Sequence, residues 1–234
     1  MNRVPKDKRR DLWWDWSWNP ITGCKNGCWY CYARPLANRF EAIHGGPPWE
    51  KPAYHPERNT SEELQQPRPG QRVFVCSMAD IFSPGVDRLW VQKIIERVST
   101  RPHVHFIFLT KRPSFYQHYK WPENVWLGTT LDTWETQLDR AVELNWARHY
   151  GVKWINAAPA LSVPSERLHD VFKPDWVVSE PLHGHGNQRL VKSEANVHAW
   201  HSWATSHRVP VWIKGMKHWG VRCPIPHQLP GDRV

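Results

Sequence analysis

The chain has 234 residues, with 31 Lys and Arg against 22 Asp and Glu, a net charge of +9 and a sequence pI near 9.5. That length carries one large α/β domain or two small ones without needing staples, and no run approaches the ~20 apolar residues of a membrane-spanning helix. The charge favours an acidic partner, nucleic acid first among them, and the start, MNRVPKDKRRDLWWDW, lacks the apolar core of a secretion signal, so the expected compartment is the reducing cytoplasm.

Residues 1–12 are charged. WWDWSWNP (13–20) alternates apolar and polar, which predicts a strand with Trp14, Trp16 and Trp18 on one face and Pro20 at its end. YARPLANRFEA (32–42) predicts a helix that tolerates Pro35 in its first turn. Residues 44–70, rich in Pro and Gly, read as an excursion or lid and not as a domain boundary.

A regular alternation follows. Strands are predicted at RVFVCSM (72–78), HVHFIFLT (103–110), NVWLGTT (124–130), VKWINAA (152–158), DWVVSE (175–180) and VPVWIKG (209–215). Between them, 86–100, 113–119, 134–151 and 193–208 have helical spacing, with Gly151 as a stop signal. Together with the strand before the cysteines this makes about seven strands. Repeated β-α units of apolar strands indicate a parallel sheet covered by helices, here an open or partial (β/α) barrel, with chemistry at the C-terminal strand ends. The whole of 1–234 reads as one domain.

The chemistry is concentrated in GCKNGCWYCYA (23–33), which places Cys24, Cys28 and Cys31 at C-x3-C-x2-C spacing, with the aromatic Tyr30 before the last. An odd count of clustered thiols argues for metal over disulfides. Three thiolates can hold three irons of a 4Fe-4S cluster and leave the fourth open to a small molecule. Zinc, with His44 or His55 as a fourth ligand, is the alternative. The alternative function is a non-catalytic, zinc- or cluster-stabilised nucleic-acid-binding protein.

C-x3-C-x-aromatic-C closely resembles the signature of radical S-adenosylmethionine (SAM) enzymes. The resemblance implies a partial TIM-type barrel, a 4Fe-4S cluster on Cys24, Cys28 and Cys31, and SAM chelated to the free iron. It also implies a 5′-deoxyadenosyl radical that abstracts hydrogen from a substrate. Carried over strand by strand, it makes Ser77 and Asp80, in CSMADIF, candidates for the SAM amino group. Thr129, Thr130 and Asp132, in TTLD, fall near the SAM ribose, and Glu180 is a further SAM contact. Lys111 and Arg112, in LTKRP, would hold a phosphate or the SAM carboxylate, and Lys214 would face the cavity toward substrate.

WNPITGC, VFVCSMADIF, LTKRP, NVWLG, DWVV and VPVWIKGMKHWG resemble a phage-type three-cysteine family distantly similar to spore photoproduct lyase. The chain departs from that family at NAAPALS, with Ala158 where a glutamate is usual, and at SEPLHGHG. The implied substrate is a modified pyrimidine base in phage DNA, or a nucleotide, with the electron supplied by an external donor such as flavodoxin. Trp49, Lys51, Arg58 and Arg68 in the excursion are candidates to hold the strand. Cys76 is a candidate hydrogen-atom donor, and HGHG (183–186) a substrate loop.

Overall fold

The computed structural model describes residues 1–5, 12–183, 187–215 and 227–231. In chain order the strands are β1 (Asn2–Arg3), β2 (Trp16–Trp18), β3 (Ile21–Thr22), β4 (Ala53–Tyr54), β5 (Arg72–Val75), β6 (His105–Thr110), β7 (Val125–Thr130), β8 (Lys153–Ala157), β9 (Trp176–Ser179) and β10 (Val211–Ile213). The α-helices are α1 (Ala33–His44), α2 (Ser61–Gln65), α3 (Arg88–Ser99), α4 (Trp134–Asn145), α5 (Leu168–Val171) and α6 (Asn187–Ser206).

Eight strands form one sheet in the order β1-β2-β5-β6-β7-β8-β9-β10. From β2 onward every neighbouring pair is parallel, and β1 adds an antiparallel edge. The result is a mostly parallel α/β sheet with the character of a partial barrel. β3 and β4 make a small antiparallel pair beside it.

The strands alternate between two apolar layers, as the period-2 pleat demands. One face carries Val73, Val75, Phe106, Phe108, Val125, Leu127, Ile155, Val177, Val211 and Ile213 against the helices. From α3, Val91, Ile94, Ile95 and Val98 pack into this layer at helical spacing. That helix starts where Asp87 accepts a hydrogen bond from the Leu89 amide at 2.8 Å, a side-chain N-cap. The concave face carries Phe74, Ile107, Trp126, Trp154, Trp176, Val178 and Trp212, with Trp13 packed among them. Gly128 is required in this layer: a Cβ there would sit 2.2 Å from the Trp154 ring.

Two expectations, the first strand and the end of α4, need correction, and two other segments take definite form. The first strand is short, and Trp14 does not share a face with Trp16 and Trp18. Those two bury toward the helices, whereas Trp14 turns to the concave side, edge-on to Trp13 at 4.5 Å. Residues Pro113–His118 form a 3₁₀ helix led by proline. α4 stops at Asn145, well before Gly151. Residues 44–70 are folded onto the body: β4 pairs with β3, and Leu64 of α2 is fully buried in the core.

Candidate active site

The C-terminal strand ends enclose a cavity of about 490 Å³. Its floor is apolar, made by Trp13, Trp14, Phe74 and Leu109. Each strand from β5 onward sends a polar group to its wall, either from its last residues or from the loop after it. These are Ser77 and Asp80 after β5, Thr110 and Lys111 from β6, Thr130 from β7, Asn156 from β8, Glu180 and His183 after β9, and Lys214 after β10. Cys24, Cys28, Tyr30 and Cys31 line the side nearest β5.

The thiol loop is tied down by its backbone. The Gly23 amide donates to Met78 O at 3.0 Å, the Cys24 amide to Trp49 O at 2.8 Å and the Lys25 amide to Ser83 Oγ at 2.7 Å. Gly23 has φ +86°, and a Cβ there would meet Trp49 O at 2.8 Å, so glycine is needed twice over. Trp49 is thus buried and lines the cavity.

Asp80 is the hub of this wall. It accepts from Asn26 Nδ2 (2.7 Å), Thr110 Oγ1 (2.6 Å), the Lys111 amide (2.9 Å) and the Phe82 amide (3.0 Å). A carboxylate offers about four acceptor sites, and protein donors fill them. Asp80 thus joins the thiol loop to the ends of β5 and β6 while lining the cavity.

A second network lies under Tyr30. Asp132 accepts from the Tyr30 hydroxyl, from Lys111 Nζ, and from Arg140 Nη1 at 2.8 Å. Lys111 Nζ also donates to the Tyr30 hydroxyl and stands over its ring. Burial acts to raise the Asp132 carboxyl, but Lys111, Tyr30 and Arg140 outweigh it and hold the group below the usual carboxylate range. Burial, then the Asp132 charge, pushes the Tyr30 hydroxyl well above its ordinary value. Tyr30 is thus a neutral donor at any ordinary pH.

Across the cavity Lys214 Nζ pairs with Glu180 Oε2 at 2.6 Å and lies over the Trp14 ring, 5.5 Å from its centroid. His183 Nε2 stands 3.7 Å from Glu180 Oε1. The rest of HGHG (184–186), and MKHWG (216–220) after Gly215, lie outside the described residues, as does Cys223.

Two expected residues point elsewhere. Thr129 is on the outward phase of β7, fully buried, and its hydroxyl donates to Thr110 O at 3.0 Å. Arg112 stacks over Phe115 with its guanidinium carbon 5.0 Å from the ring centroid, and does not line the cavity. Asn156 was missed. It alternates with Trp154 along VKWINAA, and a lone amide at the end of an apolar strand is the signal that finds it. Arg140, one of the three partners of Asp132, gave no such signal from its place mid-helix.

The donor set can be tested against a metal group. Burial pushes the Cys24 thiol up to about 11 and raises Cys28, against the pull of Lys111. Both are protonated thiols until a metal displaces the proton. Among the described residues, no three His, Cys, Asp or Glu side chains converge to hold a single ion. His55 bonds Thr22 Oγ1 at 2.8 Å, His44 stacks on Phe40, and neither lines the cavity. The zinc tetrahedron with His44 or His55 is thereby corrected. Three soft thiols spread along one loop and facing one cavity suit the separate corners of an iron–sulfur cluster.

Fold and cavity together define a partial-barrel protein with a three-thiol loop at its mouth. Spore photoproduct lyase structures share the fold. A cysteine-to-serine variant superposes with a TM-score of 0.53 at 14% identity over 84% of this chain and 64% of that one. The enzyme complexed with dinucleoside spore photoproduct gives 0.51 at 13%, over 83% and 63%. A variant with bound AdoMet and dinucleoside spore photoproduct gives 0.52 at 13%, over 81% and 62%. This chain thus spans less than two thirds of the lyase. No curated protein sequence matches it. Residues 10–224 match the family described as "Protein of unknown function (DUF5131)", and the chain belongs to that family.

Proposed function

We propose that this chain is a radical SAM enzyme acting on a nucleic-acid base or nucleotide in the cytoplasm. The observation that carries the reading is the three-thiol loop opening on the cavity at the C-terminal strand ends, in a fold shared with spore photoproduct lyase. Cys24, Cys28 and Cys31 would hold a 4Fe-4S cluster. When bound, cluster and SAM together supply a 5′-deoxyadenosyl radical after uptake of one electron from an external donor.

The remaining work falls to side chains of the chain itself. Lys111, fixed by Asp132 and Tyr30, offers a positive charge to a carboxylate or phosphate beside the thiols. Ser77 and Thr130 place hydroxyls on the same wall, and Tyr30 and Asp132 hold that corner of the site in shape. Glu180 and Lys214, with Asn156 nearby, offer an acceptor and donors on the opposite wall, where a base edge can be read. The indole floor excludes water from below.

The substrate class rests on the net charge of +9 and on the dinucleoside bound in the neighbouring structures. A base within a duplex must be flipped out to reach such a cavity, at a cost of a few kcal/mol.

The test is anaerobic reconstitution with iron and sulfide, then dithionite reduction with SAM, with 5′-deoxyadenosine read by mass spectrometry. Product, increased by single-stranded DNA or oligonucleotide, is expected. A protein holding four irons that releases none overturns the reading.

A further inference from the structure

We propose that Arg140 is a positioning residue for anion binding in the cavity: it answers the Asp132 carboxylate from outside and leaves Lys111 a donor and a charge for a ligand's carboxylate or phosphate oxygen. The proposal rests on the radical reading above and deepens it. Arg140 stands three residues after Gln137 and four before Leu144, both buried on the inner face of α4, so its side chain runs inward with them. A cation carried toward a core needs partners. Arg140 Nη1 finds two, Thr130 O and Asp132 Oδ1, each at 2.8 Å. The Asp132 side chain is 7% exposed and that of Arg140 18%. Neither residue lines the cavity, whereas Lys111 and Tyr30 do.

The two oxygens of Asp132 divide the work. Oδ1 takes Arg140, from the helix layer, and Oδ2 takes Lys111 Nζ and the Tyr30 hydroxyl, from the cavity wall. An ammonium has three N–H donors. Lys111 gives one to Asp132 and one to the Tyr30 oxygen, and the third is unclaimed among the described residues. Asp80 takes the Lys111 backbone amide and three further donors, none of them a cation, and forms no ion pair with Nζ.

Charge explains why an arginine stands there. A neutral donor would serve Thr130 O, but only a cation answers the charge of a carboxylate held out of water. Without Arg140, Lys111 is the one cation paired with Asp132, and the pair closes on itself. With Arg140 in place one carboxylate meets two cations. Lys111 is then held at a fixed point by Asp132 without being neutralised by it. What completes the corner is an anionic oxygen that accepts from Nζ, a chemistry that a carboxylate and a phosphate share.

The test measures binding to the reconstituted, unreduced full chain by calorimetry, with SAM as the carboxylate probe and thymidine 5′-monophosphate as the phosphate probe. Arg140→Gln should bind at least one of the two about tenfold more weakly than wild type, and the probe that loses affinity names the anion. Arg140→Lys, which keeps the charge, should recover most of the loss. In an Asp132→Asn background, where no carboxylate needs answering, Arg140→Gln should change neither affinity. Equal affinity of wild type and Arg140→Gln for both probes overturns the proposal. So does an equal loss in the Asp132→Asn background, the mark of a merely structural arginine. Should Arg140→Gln alone not fold, Asp132→Asn with and without Arg140→Gln decides: equal binding is expected, and a tenfold difference overturns the proposal. Absence of SAM binding to the cluster-loaded wild type overturns the radical reading instead.

Discussion

The concave face of the sheet is made of two materials within a few residues of each other. Near the strand starts stand Trp126, Trp154, Trp176 and Trp212, with Trp13 among them; at or just past the ends of the same strands stand Thr130, Asn156, Glu180 and Lys214. The indoles lie 5.0 to 5.7 Å apart between Trp13, Trp154, Trp176 and Trp126, mostly edge to face. The contrast separates stability from chemistry: the lower layer keeps the barrel wide and dry, and the upper layer is free to carry costly polar groups.

Removing the thiols that face this upper layer across the cavity should abolish function and spare the fold. Cys24→Ala, Cys28→Ala and Cys31→Ala should each lose reconstituted iron and all SAM cleavage. Unfolding of the metal-free protein in urea should move by no more than about 0.5 kcal/mol. Breaking the lower layer should do the reverse. Trp154→Ala should cost about 3–5 kcal/mol in the same urea titration, with iron still bound at low temperature. Gly128→Ala drives a methyl into the Trp154 ring and should cost about 1–3 kcal/mol by overpacking, read as a lowered melting temperature. The smallest effect sharpens the comparison chemically. The Cys24 thiol, raised to about 11, should be alkylated by iodoacetamide slowly at pH 8, about a hundredfold below an ordinary cysteine. Its rate should climb until pH passes 11, as followed by peptide mass mapping.

The parallel strands were legible because a strand buried on both faces is a nearly continuous apolar run. The cysteine loop was legible from spacing alone. Which phase of a strand faces the cavity was not, because both faces are apolar. That is why Thr129 was assigned to the site along with Thr130, and why Trp14 was grouped with Trp16 and Trp18. Asp80, Lys111 and Asp132 were found as residues but not as partners. The hydrogen bonds that join them to one another, to Asn26 and to Tyr30 span 21 to 102 residues in sequence, a distance no local pattern reaches. The β3–β4 pair and the 3₁₀ turns are too short to leave a periodicity.

The Asp80 hub has a consequence for assembly. Its bond from Asn26, with those of the Gly23, Cys24 and Lys25 amides, ties the thiol loop to neighbouring segments of the fold. Those bonds form when the chain folds, so on the proposed reading the conformational entropy of ordering the loop would be spent then and not on arrival of a cluster. Loading the proposed cluster would then be a docking event on a loop already formed. A chain stripped by chelator should keep its circular dichroism spectrum and refill without passing through an unfolded state.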